Sequence, residues 1–398
     1  MSRFVARTIL FALLVCCGCS SPAEPNNDEP DAGTHGEDLG SPAEDAGGEQ
    51  PDVVPEPDVP EPDPVVLPSF SELDEGWTEI FPGGETTCAR GGLYSFLVHK
   101  GDPDRVAVHY VGGGGCWNKA TCQTDDVFTD SLDKFRDTLD LDNDLEGLLD
   151  MKNPDNPIYG WTHVIAPYCT GDVHWGNNVA DYGDGVIVFH RGAVNAQVVF
   201  DWMTREFEAP GKLFVTGCSA GSYGSIMWAA HFARAYPTTR LYQLGDSGAG
   251  VTTDSFFADS FANWNADAVF PAWIPALDPA QVDVAASRSS DLYAGIATQY
   301  PTQTFSQWNT KEDWNQKLFY SLMGGDQDEW SAQMLALTND ISARAGNYYN
   351  WHAPGDPHCV LPYNDFYTHE TDGVRLRDWV SSMLADEPID HISCAECN

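Results

Sequence analysis

KLFVTGCSAGSYGSIMWAAHFARAY, residues 212–236, decides the fold of this chain. Lys212 to Thr216 is a short apolar run of buried-strand type. A helical stretch runs from the other end to about Tyr236. Between them stands Gly217-Cys218-Ser219-Ala220-Gly221, a GxSxG pattern where a strand meets a helix. That is the context of a nucleophile elbow. The glycines let the backbone turn sharply, so the Ser219 hydroxyl projects. The helix N-terminus behind it favours negative charge at a reacting centre. Ser219 is the expected nucleophile, and a plain structural turn is the alternative.

Working outward, RVAVHYV (105–111) alternates as a strand and ends in the glycines 112–115. WTHVIAP (161–167) and GVIVFH (185–190) read as two more strands. Residues 192–207 have helical apolar spacing through Val194, Val198, Phe200, Trp202 and Met203. Segments 240–244, 302–308 and 347–351 read as further strands. Strands alternating with helices predict an α/β-hydrolase-like fold, with a mostly parallel sheet and helices on both faces. Ligands on such sheets gather at the carboxyl ends of the strands.

The glycine loop has a chemical reading. Acyl transfer develops an oxyanion, and fixed backbone N–H groups stabilise it. The amides of Gly113 and Gly114, joined by that of Ala220, are the expected oxyanion hole. Phosphate binding is the alternative, but Cys116, Trp117 and Asn118 follow where a P-loop needs Lys and Ser or Thr. In such enzymes the order along the chain is Ser, acid, His. His352, His358, His369 and His391 lie late enough, whereas His190 and His231 break the order. His358 follows a strand through Ala-Pro-Gly-Asp-Pro, a turn able to hang over the sheet. It is the expected base, with His352 the alternative. Two aspartates compete for the acid. Asp246 ends the strand after the elbow helix, and Asp313 follows the next one. The acid must reach the imidazole, which favours the strand nearer the His loop and so Asp313. Asp246 is then expected to shape the pocket or cap a helix.

The N-terminus differs in kind. Arg3 and Arg7 precede an apolar run, Ile9 to Val15, of signal-peptide length. Cys16-Cys17-Gly18-Cys19 follows and resembles a bacterial lipoprotein box, with Cys16 where Leu is usual. Cys19 is the expected lipidated residue and Cys17 the alternative, on a signal peptide of residues 1–18. Residues 19–68 are Pro, acidic and small residues, typified by 55–64, too poor in apolar side chains to fold. They read as a tether for a domain spanning 69–398. The expected location is the cell envelope, lipid-anchored, or else secreted.

The chain carries 60 acidic residues against 20 Lys and Arg, a net charge of −40, which disfavours nucleic acid as a partner. The membrane is expected to be met through the lipid alone, and the protein to be a monomer. Beyond Cys19 the cysteines are 88, 116, 122, 169, 218, 359, 394 and 397. In an exported domain these suggest disulfides, with 105 pairings open. Cys88–Cys169 and Cys116–Cys122 are expected pairs, and Cys394 with Cys397 is a further candidate. No cofactor or metal is expected. Asp140, Asp142, Asp144 and Glu146 imitate a calcium loop, but Leu145 and Met151 stand where it needs Gly and Glu.

Four motifs occur in one order: 112–118 with its Cys-Trp-Asn, Pro167 to His174, the elbow, and Pro354-Gly355-Asp356-Pro357-His358. Together they are similar to the pectin acetylesterase family, which includes the Notum carboxylesterases. The resemblance runs from about Thr87 to His358. It implies an α/β-hydrolase-like fold, a Ser-Asp-His triad and removal of an acyl group from an ester. The family's acid, with a Gln close behind it, resembles Asp313 with Gln316. Val111 replaces a frequent acidic residue, and a Gly replaces the aromatic before Cys116, so the pocket wall differs. The expected function is a serine esterase removing an acyl group, acetyl first, from a carbohydrate or similar extracellular ester. A lipid or long-chain carboxylesterase is the second reading. A catalytically silent surface-binding lipoprotein is the third, and the intact Ser, His and glycine loop argue against it.

Overall fold

The computed structural model describes residues 66–394, apart from 125, 139, 142 and 284–287. Residues 1–18, Cys19, nearly all of the 19–68 tether, Asp142 and Cys397 lie outside the described residues. Those described belong to one unit, Pro64–Asn398.

Thirteen strands occur among the described residues: β1 (Trp77–Ile80), β2 (Phe96–His99), β3 (Asp102–Tyr110), β4 (Trp161–Ala166), β5 (Asn178–Asp181), β6 (Ile187–His190), β7 (Lys212–Cys218), β8 (Arg240–Asp246), β9 (Thr304–Thr310), β10 (Tyr348–Ala353), β11 (Glu370–Thr371), β12 (Val374–Arg375) and β13 (Ile392–Ser393). Nine of them form one sheet in the order β1-β2-β4-β3-β7-β8-β9-β10-β13. From β4 to β13 every pairing is parallel, and β1 and β2 add an antiparallel edge. The expected α/β architecture is present. One expected strand belongs elsewhere. β6 pairs only with β5, in a separate antiparallel hairpin. Among the described residues no helix lies between β4 and β6 to make a crossover, and Gly183 and Gly185, both at positive φ, close a tight turn instead.

The helices are α1 (Lys119–Cys122), α2 (Asp133–Thr138), α3 (Gly192–Glu206), α4 (Ala220–Ala235), α5 (Asp254–Trp264), α6 (Ser289–Gln299), α7 (Trp314–Leu322), α8 (Gln327–Arg344) and α9 (Leu376–Leu384). On one face of the sheet, Val199 and Trp202 of α3, Ile226 and Trp228 of α4 and Ile296 of α6 pack with Val106, Val108 and Val215. On the other face, Leu376, Trp379, Val380 and Met383 of α9 meet Phe214, Tyr242, Trp308 and Trp351. That α9 spacing is one helical stripe. Strands buried on both faces read as apolar runs, as β7 does. β9 is the exception. All seven of its residues are buried, although Ser306, Gln307, Asn309 and Thr310 are polar. Hydrogen bonds hold three of them: Ser306 Oγ to the Gln243 carbonyl at 2.7 Å, Gln307 Nε2 to the Gly248 carbonyl at 2.8 Å, and Thr310 Oγ1 to the Pro357 carbonyl at 2.8 Å. Asn309 accepts Gln316 Nε2–H through Oδ1, and its Nδ2 has no partner among the described residues.

Disulfides join Cys88 to Cys169 and Cys116 to Cys122, the two expected pairs. A third, Cys218–Cys359, was not anticipated. Cys394 is also disulfide-bonded. None of the described helices is long and apolar enough to cross a membrane.

Candidate active site

Parallel strands deliver their carboxyl ends to one edge of the sheet, and the candidate residues follow them there. Gly112 to Gly115 follow β3, Ser219 follows β7, Asp246 ends β8, Asp313 follows β9 and His358 follows β10.

Ser219 sits at φ +58° and ψ −123°, between β7 and α4. A non-glycine residue there is strained. The turn keeps it because its neighbours leave no slack. A Cβ on Gly221 would lie 1.9 Å from the Tyr110 carbonyl oxygen, and one on Gly217 would lie 2.2 Å from that of Gly221. The Ser219 N–H donates to the Asp246 carbonyl at 2.8 Å.

His358 Nδ1 lies 2.9 Å from Asp313 Oδ2 and 3.0 Å from Oδ1. Facing a carboxylate, Nδ1 is the protonated nitrogen. Asp313 is fully buried and caps α7: Oδ1 accepts the N–H groups of Asn315 and Gln316, and Oδ2 accepts Gln316 Nε2–H at 2.9 Å. These donors and the helix N-terminus stabilise its negative charge. The other imidazole nitrogen, Nε2, is buried with no hydrogen-bond partner among the described residues. Ser219 and His358 line the same cavity. His352, the alternative base, is a core residue of β10 whose Nε2 bonds Thr338 Oγ1 at 2.9 Å. Burial lowers its pKa to about 4.

Asp246, the alternative acid, does not touch the imidazole, and its expected part in shaping the pocket or capping a helix is corrected. Its Oδ2 accepts the N–H groups of Val360 and Leu361, each at 2.8 Å, and it is not among the cavity-lining residues. Burial raises its pKa to about 6. Sequence reading missed this contact, since it joins residues far apart in the chain.

The glycine loop is propped from the Pro167–His174 motif. Tyr168 Oη–H donates to the Gly114 carbonyl at 3.0 Å, the Cys116 N–H donates to the Gly171 carbonyl, and His174 Nε2 meets the Val111 carbonyl at 2.9 Å. Burial lowers the His174 pKa to about 4, so it serves as a neutral donor. Gly114, Gly115 and Ala220 line the cavity, and Gly113 stands behind Gly114 with its carbonyl bonded to the Thr129 N–H.

The cavity holds ≈ 80 Å³ and is walled by apolar side chains. Trp117, Trp175, Phe256, Phe257, Phe261, Trp264, Phe319 and Met323 contribute, most of them from α5 and α7. Neither helix was read from the sequence, although Phe257, Phe261 and Trp264 repeat at helical spacing. Two described clusters hold metal-ligating residue types: Cys116, Cys122 and His190, and Cys218, Asp246 and Cys359. Each is built around a disulfide, whose sulfurs are not thiolates. In the acidic stretch, Asn143 and the Asp144 carboxylate bond to Asp140, an internally closed turn.

Comparison with known proteins agrees with this architecture. A family model described as pectinacetylesterase matches residues 84–270. Pectin acetylesterase 7 of Arabidopsis thaliana is 29% identical over 166 residues, covering 40% of this chain and 42% of that one. Pectin acetylesterase 11 of the same plant is 26% identical over the same shares. The chain thus spans less than half the length of these relatives. Its fold is similar to a crystal structure of the Wnt deacylase Notum from Drosophila, with a TM-score of 0.59 at 16% identity over 81% of this chain and 97% of that one. Over residues 84–270 the chain is therefore similar to the pectin acetylesterase family, and in fold it is similar to Notum.

Proposed function

We propose that the chain is a serine carboxylic ester hydrolase that removes an acyl group from a carbohydrate or related extracellular ester. The observation that carries this is the His358–Asp313 pair at 2.9 Å, with Nε2 unpartnered beside a cavity it shares with Ser219. In this reading Ser219 Oγ attacks the ester carbonyl carbon and its proton passes to His358 Nε2. Asp313 holds Nδ1–H and stabilises the imidazolium. The developing oxyanion meets the amides of Ala220 and of the glycine loop, Gly113 and Gly114. Collapse breaks the ester C–O bond, and the alcohol leaves with the proton from Nε2. Water then attacks the acyl-enzyme by the same relay and releases the acid.

Acetyl is the acyl group in the relatives' names. The apolar cavity wall supports a second reading, a larger acyl group. A water-sized group needs about 10–15 Å³ of such space, so the cavity accommodates roughly five to eight methylene-sized groups. Each buried methylene contributes about 0.8 kcal/mol, near fourfold in kcat/KM. A p-nitrophenyl ester series from acetyl to dodecanoyl tests both readings. The expected profile climbs about fourfold per methylene and stops gaining near octanoyl. An acetyl maximum would retain the esterase and remove the larger acyl group. Ser219→Ala is expected to lose all ester hydrolysis while staying folded. Full turnover by that variant removes the mechanism.

We carry export with lipidation at Cys19, and a monomeric state, as part of this proposal. The disulfides and the acidic, Pro-rich stretch before the domain support export. Cys19→Ser is expected to move the protein from the membrane to the soluble fraction. Wild-type protein without acyl chains by mass spectrometry would refute the anchor.

A further inference from the structure

The turn that carries His358 rests on a carboxylate with no place in the proton relay. Asp246 stands at the carboxyl end of β8 and is fully buried. One of its oxygens accepts the amides of Val360 and Leu361. The other accepts Ser247 Oγ–H at 3.1 Å, and that same Oγ accepts the Cys359 N–H at 2.8 Å. Three consecutive amides immediately after His358 therefore land on one carboxylate–hydroxyl unit. The chain must bend sharply to present them, and Cys359 accordingly sits at φ +64°. Asp246 also holds the opposite side of the site, because its main-chain carbonyl accepts the Ser219 N–H. The Cys218–Cys359 disulfide ties the residue before the nucleophile to the residue after the base.

On the serine esterase reading, we propose that Asp246 is a positioning residue: it fixes the His358 turn against the nucleophile elbow, so that Nε2 faces the Ser219 hydroxyl. A buried carboxylate with three hydrogen bonds is costly to leave half satisfied. Hence the turn settles where all three donors reach it. The geometry that catalysis needs is finer than the geometry that folding needs. A misplacement of about 1 Å costs on the order of 10²-fold in rate.

The test compares Asp246→Ala, Asp246→Asn and Asp313→Asn with wild type, using kcat and KM on a p-nitrophenyl ester, the rate of fluorophosphonate labelling of Ser219, and Tm. Asp246→Ala is expected to lower kcat and labelling by about 10²-fold with KM unchanged, because the cavity is untouched. Asp246→Asn keeps an oxygen for both amides and is expected to recover most of the loss. Asp313→Asn is expected to recover none. Should Asp246→Ala fail to fold, Ser247→Ala removes the Cys359 contact and the hydroxyl bond to Asp246 while leaving the Val360 and Leu361 contacts, and is expected to lower kcat in the same sense. Wild-type kcat in Asp246→Ala, or a loss confined to KM, overturns the proposal. So does an Asp246→Asn as dead as Asp313→Asn, since charge rather than placement would then matter. A wild type that neither turns over esters nor reacts with the fluorophosphonate removes the esterase reading and this inference together.

Discussion

Asp313 does two things with one carboxylate. It closes the first turn of α7 through Asn315 and Gln316, and it receives His358 Nδ1. An amide at this position cannot do both. Turned with oxygen toward the imidazole, it points its NH₂ at Gln316 Nε2, another donor. Turned the other way, its NH₂ opposes the backbone N–H groups of Asn315 and Gln316, and in either orientation a donor stands beside Nδ1–H. Asp313→Asn is therefore expected to lower kcat by about 10⁴-fold while the protein stays folded. His352→Gln is the control: its partner is Thr338 in the core, so Tm is expected to fall and kcat to hold. Dead His352→Gln beside active Asp313→Asn would reverse the assignment. Ser219 was legible as a candidate from a turn motif, and His358 as one of four late histidines, preferred for its turn-rich loop. Asp313 was legible only as one of two. Distinguishing it from Asp246 depends on which carboxylate meets a ring and which meets main-chain amides, and amides 114 and 115 residues away leave no mark in sequence.

At the scale of elements, legibility followed burial. β3, β4, β7 and β8 were read within a few residues because both faces are buried and their apolar runs are continuous. β9 was read two residues early, since five of its seven residues are polar and its core position rests on hydrogen bonds that pattern reading does not count. β1, β2 and β13 are short edge or near-edge strands with weak patterns, and they were not read. α7 shows a different difficulty. Phe319, with Met323 just past the helix end, closes the cavity while Trp314, Leu318 and Leu322 of the same helix stand exposed. The apolar stripe is there at i, i+4 and i+8, but the helix is only nine residues long and much of the stripe faces outward, so it was not read. The cavity wall thus comes from segments the sequence left blank, which is why the sequence could name a chemistry and not an acyl length.

Across the whole molecule, two opposing sets of buried groups govern the response to acid. Burial lowers His109 to about 3 and His174, His190 and His352 to about 4, and His163 well below its usual value. Unfolded histidine titrates near 6.5, so below that pH the unfolded chain binds protons the folded one refuses. Their contribution to stability is present above pH ~6.5 and is lost as pH falls toward about 4. Asp172 and Asp246 act the other way. Burial raises both to about 6 against an unfolded value near 3.9. The folded state thus binds protons more tightly, and their effect favours folding as pH falls from 6 to 4. Five histidines outnumber two aspartates, so the site-specific balance is a loss. The net charge of −40 adds a competing term, because protonating surface carboxylates relieves self-repulsion. That term is long-ranged and screened by salt, whereas buried groups are screened much less. At 0.5 M NaCl, Tm is therefore expected to fall steadily from pH 7 to pH 4.5. At 10 mM NaCl the fall is expected to be shallower, because relief of repulsion offsets part of it. Tm measured by scanning calorimetry across both series checks the argument. A Tm that is flat or rises toward pH 4.5 at high salt would mean the buried histidines do not set the acid limit.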